Sequence, residues 1–272
     1  MARIYFGIPL RARRASSDWS MVQANLLRTV RSLLSQESED VRILIAGHDR
    51  PGALKTYLGD GRVTFIDVSA ELPIPDSVEG FNADKAAKKN WLGYAVREME
   101  PEPLYYMHMD ADDLLHRRLA RYVTEADNRQ GHLIQRGWMV DVANRKVAPA
   151  DETTSPFYNH CGSCALVYFT PDELPRSPTH FRSNFSKYRN HSRYVDTARA
   201  QGKTLQPFNQ YVGAYLVNHG ENNRNYRGAI DKKVRFVQRN ALTDPEAIKQ
   251  LARNFHDLRK LLAPPAQTAD AA

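Results

Sequence analysis

The chain has 272 residues, 42% of them hydrophobic, which is enough for one large globular domain with a sizeable core. Its 38 Lys and Arg residues exceed its 31 Asp and Glu residues, and the net charge of +7 suggests an anionic ligand or partner. No run approaches the roughly 18 to 20 apolar residues of a membrane span, and the N-terminus lacks the order of a signal peptide. We therefore expect a soluble, cytoplasmic protein.

The first half of the chain alternates predicted strands with predicted helices. Buried-strand patterns cover residues 3–8, 41–46, 62–68 and 104–109, and apolar residues at helical spacing predict helices over 19–34 and 82–99. This alternation predicts a mostly parallel sheet with helices on both faces. Beyond residue 130 the pattern becomes strand-rich, which predicts a mixed sheet added to the α/β half.

The positive charge is concentrated near the C-terminus. Residues 224–260 contain ten Lys or Arg and four Asp or Glu, an excess that nearly equals the charge of the whole chain. We predict a basic helical extension over residues 231–262 and a disordered tail over 263–272. The cluster suggests a donor diphosphate, an acidic lipid surface or nucleic acid, and a solvated basic helix face is an equal alternative.

Three carboxylates follow the apolar run that ends at residue 109. Asp110 and Asp112 are two residues apart, so on an extended segment they point the same way. Carboxylates at a strand end are costly to desolvate without a cation, and Mg²⁺ or Mn²⁺ is a suitable partner that also binds diphosphate. The alternative is that Asp112 and Asp113 cap a helix starting near Leu114.

The two cysteines, Cys161 and Cys164, form a single C-x-x-C motif. No second ligand pair with zinc-like spacing lies nearby. We predict two reduced thiols near the start of a buried strand at residues 165–169.

Three segments in the first half resemble the glycosyltransferases of the GT-A fold, family 2 type. They are LLRTVRSLLSQESEDVRILIAGHDRP (residues 26–51), DKAAKKNWLGYA (84–95) and YMHMDADDLL (106–115), in the family's order. The Ile-Pro-x-Arg-x-Arg opening and a late HGEN also look like bacterial proteins described as rhamnosyl transferases. The resemblance implies a Rossmann-like GT-A domain over residues 1–230, with a nucleotide half (about 1–115) and an acceptor half (about 116–230).

The resemblance also implies a metal-dependent transfer of a sugar from a nucleotide-diphosphate donor to a saccharide or lipid-linked acceptor. The implied nucleotide-binding residues are Pro9, Asp49, Lys85 (with Lys88 or Lys89 as substitutes), Asp110, Arg224 and Arg227. The implied ligands of Mn²⁺ or Mg²⁺ are Asp110, Asp112 and His219. In this interpretation Asp113 caps the following helix.

The catalytic base is less well defined than the donor site. Where inverting members of the family have an acidic residue, this chain has Asn190 and His191, and a histidine accepts protons near neutral pH. Asp196 is the next candidate, with Asp172 and Glu173 further upstream as rivals. Without a base in the site, a retaining mechanism becomes an alternative.

Two other classes of function are alternatives to a glycosyltransferase. A nucleotidyltransferase would carry a Gly-rich phosphate loop after the first strand, where this chain reads PLRARR. A nucleic-acid-binding protein would use the basic residues 224–260. No nucleic-acid-binding motif supports that reading, so we expect no nucleic-acid partner and consider peripheral contact of the basic segment with an anionic membrane instead.

Overall fold

The structure is a computed structural model that describes residues 2–222 and 230–263. Its strands are β1 (Ile4–Pro9), β2 (Val41–Gly47), β3 (Val63–Asp67), β4 (Leu104–His108), β5 (Leu114–Leu115), β6 (Gly131–Leu133), β7 (Gly137–Asp141), β8 (Lys146–Ala150), β9 (Ala165–Phe169), β10 (Gln206–Pro207) and β11 (Gly213–Val217). Its α-helices are α1 (Trp19–Leu34), α2 (Lys55–Leu58), α3 (Val78–Met99), α4 (Leu119–Ala126), α5 (Tyr194–Ala200), α6 (Ile230–Asn240), α7 (Pro245–Ala252) and α8 (Leu258–Leu262).

Seven of the described strands form a central sheet in the order β10-β6-β9-β4-β1-β2-β3. Strands β1 to β4 pair in parallel, whereas β9 runs antiparallel to both β4 and β6. Strand β1 is paired on both sides and buried along nearly its whole length, as expected for an uninterrupted apolar strand. The predicted fold class, a mixed and mostly parallel sheet flanked by helices, is confirmed.

Helix α3 delivers several side chains to the carboxyl edge of this sheet. It begins at Val78, four residues before the predicted start, because the Ser77 hydroxyl accepts a hydrogen bond from the Gly80 amide at 3.1 Å and caps the first turn. Further along, a Cβ at Gly93 would lie only 2.4 Å from the ring of Phe185. The helix therefore approaches the later half of the chain as closely as a glycine allows.

The remaining described strands form a second sheet in the order β5-β11-β7-β8. The predicted C-terminal extension is three helices, α6 to α8, and Leu251 and Phe255 pack with Leu216 in a second core on this sheet. The turn before α8 places Asp257 at a φ of 64° and pairs it with Arg31 of α1 at 2.5 Å. The extension is thus part of the folded domain. Of the predicted tail, only Ala263 lies within the described residues.

Candidate active site

A cavity of about 630 Å³ lies at the carboxyl ends of β1 and β4. It is bounded by the residues that follow these strands, by the first turns of α3, by the loop before α5 and by the segment after β11. In an open α/β sheet this edge is where ligands bind. The Asp, Glu, Lys, Arg and His residues that line it, among those the structure describes, are Arg11, Asp84, Lys85, Lys89, Asp110, Asp112, His160, Arg189, His191, His219 and Glu221.

Asp110 and Lys85 form an ion pair in the wall of this cavity. The Lys85 ammonium lies 2.5 Å from Asp110 Oδ1, and each side chain is about one-third exposed, at 33% and 28%. Burial would raise the pKa of Asp110, but the Lys85 ammonium lowers it below its usual value. The backbone amide of Asp110 donates a hydrogen bond to Ser163 Oγ at 2.8 Å, and this bond fixes the main chain that carries the carboxylate. Lys85 and Asp110 are therefore both charged, and each restrains the position of the other.

Asp112 pairs with His219, which comes from the segment after β11. Their atoms Oδ2 and Nε2 are 2.8 Å apart, and His219 is buried with Nδ1 3.0 Å from the Asn25 amide of α1. Neighbouring ligands of an octahedral ion with bonds of about 2.1 Å lie roughly 3 Å apart, so this pair fits two positions of one divalent ion. Mg²⁺ commonly takes only one or two protein ligands and completes its shell with phosphate and water.

Asp110, predicted as another ligand, is instead paired with Lys85. Among the described residues, no three His, Cys, Asp or Glu side chains surround a common metal position. Metal binding therefore stays a prediction that rests on Asp112 and His219.

Asp113 does not cap a helix, and that prediction is wrong. Residues 114–115 form strand β5, and α4 begins only at Leu119. The side chain of Asp113 is buried beside Cys161 and Ser163, whose Sγ and Oγ donate to its Oδ2 at 3.0 and 2.7 Å. Burial, with Asp112 and Asp110 nearby, raises the pKa of Asp113 well above its usual value.

The C-x-x-C segment shapes the cavity floor without a disulfide. Both thiols are unbridged and buried, as predicted, and burial raises the pKa of Cys164. Between them, Gly162 lines the cavity, and a Cβ there would lie 3.0 Å from Asp110 Oδ2. The absence of a side chain at this position leaves room for the carboxylate.

The three lysines of α3 that are candidates for nucleotide binding lie in different environments. Lys85 lines the cavity. Lys88 is fully buried, and its ammonium donates to the Leu10 carbonyl at 2.8 Å and to Asp84 at 2.6 Å, so it supports the loop after β1. Lys89 lines the cavity and contacts the Tyr194 hydroxyl at 3.2 Å.

Of the candidates for the catalytic base, only His191 lines the cavity. Its pKa is lowered, first by burial and then by Lys85, Lys89 and Lys233, although Asp110 opposes the shift. The imidazole is therefore neutral at pH 7 and able to accept a proton. Asp196 is exposed on α5 and 3.8 Å from Arg199, outside the cavity.

The upstream rivals Asp172 and Glu173 also lie outside the cavity. Glu173 forms an ion pair with Lys203 at 2.7 Å. The structure thus brings one of the four predicted candidates for the base to the site.

The other predicted nucleotide-binding residues do not all lie at the cavity. Pro9 lines the cavity, whereas Asp49 does not, and its Oδ2 accepts a hydrogen bond from the Arg13 amide at 2.8 Å. Arg224 and Arg227 lie outside the described residues.

Several cavity residues were not singled out from the sequence, among them Asn25, Arg189 and Glu221. Glu221 pairs with Arg11 at 3.0 Å and accepts from the Asp18 amide at 2.6 Å, so it ties the segment after β11 to the start of α1. The HGEN stretch was the only local sign of this contact.

No protein-family model matches the chain, and no characterised protein matches it significantly in sequence. Among solved structures it is similar to glycosyltransferases of the GT-A type. S. aureus TarS in complex with UDP has 7% identity and a TM-score of 0.45, covering 92% of this chain and 70% of that chain. An active-site mutant of LgtC has 13% identity and a TM-score of 0.40, with 91% and 99% coverage. Mouse xyloside xylosyltransferase 1, apo form, has 12% identity and a TM-score of 0.31, with 75% and 78% coverage.

Proposed function

We propose that the chain is a glycosyltransferase that moves a sugar from a nucleotide-diphosphate donor to a hydroxyl of a saccharide or lipid-linked acceptor. One observation carries the proposal. Asp110 and Asp112 leave β4 at the carboxyl edge of the sheet and meet Lys85 and His219 in a cavity of about 630 Å³. A site with paired carboxylates, a lysine and a histidine suits a diphosphate together with a divalent cation.

The donor diphosphate belongs beside Lys85 and the Asp112–His219 pair. When the sugar leaves, negative charge develops on the departing nucleoside diphosphate, and a fixed ammonium stabilises it. Lys85 is fixed because Asp110 holds its Nζ at 2.5 Å and Ser163 holds the Asp110 backbone. A divalent ion held by Asp112 and His219 would supply further stabilisation of the same charge.

His191 is proposed to take the proton from the acceptor hydroxyl. It lies in the loop before α5 and lines the cavity, and it is neutral at pH 7 because burial lowers its pKa. This role belongs to an inverting reaction, in which the acceptor attacks the sugar directly and a base is required.

The exposed face of α6 supports the predicted contact with an anionic membrane. Lys232, Arg235 and Arg239 are exposed at a spacing that places them on one side of this helix. None of the described helices is long and apolar enough to cross a membrane. Sedimentation with vesicles that contain phosphatidylserine tests this contact. A K232Q/R235Q/R239Q variant should bind them less, and equal binding by the variant would reject it.

The experiment that tests the enzymatic proposal is thermal stability with UDP, GDP, CMP and dTDP, each with and without Mn²⁺. A ligand at about a hundredfold its dissociation constant should stabilise the protein by roughly 2 to 3 kcal/mol. We expect one nucleotide to stabilise the wild type more with Mn²⁺ than without, and the Asp112→Asn variant to lose the metal-dependent part. No shift with any nucleotide would refute the proposed function.

A further inference from the structure

We propose that the cavity holds a second anion site, formed by Lys89 and Arg189, which binds a phosphate group carried by the acceptor. The inference rests on the proposed function, because it assigns this end of the cavity to the acceptor. It starts from the charge pairs in the cavity wall.

Among the described residues, each carboxylate that lines the cavity lies within 4.0 Å of a Lys, Arg or His side chain. Asp110 pairs with Lys85, Asp112 with His219 and Glu221 with Arg11, and Asp84 pairs with the buried Lys88. Within the described residues, Lys89 and Arg189 are the lining Lys and Arg side chains that have no carboxylate within 4.0 Å. Arg189, and Lys89 when it is protonated, therefore carry positive charge in the cavity wall that no nearby carboxylate of the described residues offsets.

Lys89 is nine-tenths buried, and its ammonium has a neutral neighbour. Its hydrogen bond goes to the hydroxyl of Tyr194 at 3.2 Å, and its Nζ is 5.9 Å from the centroid of that ring. Burial, together with Lys85 one turn away, lowers the pKa of Lys89 to about 7. A bound anion would restore the charged form, because an opposite charge at close range favours it.

Arg189 is exposed at the mouth of the cavity and is held by main-chain oxygens. Its Nε donates to the Ser186 carbonyl at 3.1 Å, and its guanidinium lies 5.4 Å from the ring centroid of Phe181. These contacts fix the plane of the guanidinium and leave N–H groups for a ligand. An oriented guanidinium beside a lysine is a good match for phosphate.

The two cations lie on the same side of the cavity. Both also line a small second cavity of about 10 Å³ beside Phe185 and Tyr188, which Asp112 and His219 do not line. Lys89 follows Lys85 by one turn of α3. Lys89 is close enough to His191 to lower its pKa, and Arg189 precedes His191 by two residues, so the two cations lie near the loop where the acceptor is expected.

The test is the binding of inorganic phosphate to the protein saturated with the nucleoside diphosphate that stabilises it, followed by ³¹P NMR and calorimetry. We expect phosphate to bind the wild-type complex, and Lys89→Met and Arg189→Gln each to weaken it at least tenfold. Nucleotide affinity should change less than twofold. Lys187→Met is the matched control, because Lys187 is exposed on the same segment and outside the cavity, and it should leave phosphate binding unchanged.

Two outcomes would overturn the inference. If the variants weaken nucleotide binding tenfold and phosphate does not bind the wild-type nucleotide complex, the two cations serve the donor diphosphate. If phosphate binds equally to wild type and both variants, its site lies elsewhere. A failure of the proposed function looks different, since no nucleotide would then bind. Phosphate binding to the unliganded protein and its variants would in that case still test the anion site.

Discussion

The two sides of the cavity differ in how their side chains are held. On the donor side, Lys85 stands on a 22-residue helix and Asp110 follows a fully buried strand, so regular backbone hydrogen bonds set their directions. On the opposite side, residues 157–193 consist of strand β9 and, apart from it, of short 3-10 helices and loops. That segment is fixed by buried rings, among them Phe157, Phe185 and Tyr188. Secondary structure positions one side, and aromatic packing positions the other.

This difference implies that damage to the donor side should show first in stability or in charge stabilisation. Damage to the other side should show in proton transfer and local geometry. The four variants below, ordered from the largest expected effect to the smallest, test this separation.

Lys88→Met should cost about 3 to 5 kcal/mol of unfolding free energy, because it leaves the Asp84 carboxylate buried without its cation. Lys85→Met on the same helix removes a partly exposed pair and should cost about 1 kcal/mol or less. Chemical denaturation measures both. Adding Asp84→Asn to Lys88→Met should recover part of the loss. Equal losses in the two lysine variants would break the distinction between the buried and the cavity-facing lysine.

Asp112→Asn should lower kcat by about 10²- to 10³-fold, a range typical for loss of one group that stabilises developing charge. Asp113→Asn is the matched control. The Asp113 side chain accepts hydrogen bonds that an asparagine oxygen can also accept, and its raised pKa already favours the neutral form. Steady-state rates in a donor-hydrolysis or transfer assay distinguish them. Full activity of the Asp112 variant would contradict the site.

His191→Gln should lower kcat/KM by about 10²-fold, the lower end of the range for loss of general-base catalysis. In the wild type, activity should fall as the pH drops through the pKa of His191, which burial places below 6.5, because the protonated imidazole cannot accept a proton. The acidic limb of the profile should vanish in the variant. His180→Gln, in the same segment but outside the cavity, should keep it. An unchanged limb in His191→Gln would exclude this histidine as the base.

Gly162→Ala should have the smallest effect, about a tenfold loss of activity with less than about 1 kcal/mol of stability. The new Cβ would lie 3.0 Å from Asp110 Oδ2 and would push the carboxylate away from Lys85. Gly52→Ala is the control, since a Cβ there meets nothing within 4 Å. If both variants behave like the wild type, Asp110 can shift without consequence.

The position of the carboxylates at the sheet edge could be predicted from sequence patterns for a physical reason. The alternation of strands and helices identified the sheet, and the carboxyl edge of a parallel sheet collects the residues that follow its strands. Asp110 and Asp112 were found in this way, because their directions follow from local spacing at a strand end, whereas Lys85 was implied by the family resemblance. Lys88 and Lys89 show the limit. They are neighbours in sequence, yet one is buried against the Leu10 carbonyl and the other lines the cavity.

On the opposite side, tertiary packing decides which residues face the cavity, and no local sequence pattern encodes that packing. His191 and Asp196 are five residues apart, and only the fold shows that the loop before α5 faces the cavity while the middle of the helix faces solvent. The prediction that Asp113 caps a helix was wrong for the same reason. The chain forms strand β5 where a helix start was expected, because residues 114–115 pair with β11, about 100 positions later.

The sequence by itself determined the α/β class, the strands of the parallel half and the carboxylates at its edge, since these follow from hydrophobic periodicity and from residue type. Only the tertiary structure decided the partners of those carboxylates. His219 reaches Asp112 across 107 positions, and Glu221 reaches Arg11 across 210. Such pairs form because the segment after β11 is brought against the start of α1, and that approach depends on the packing of the whole domain.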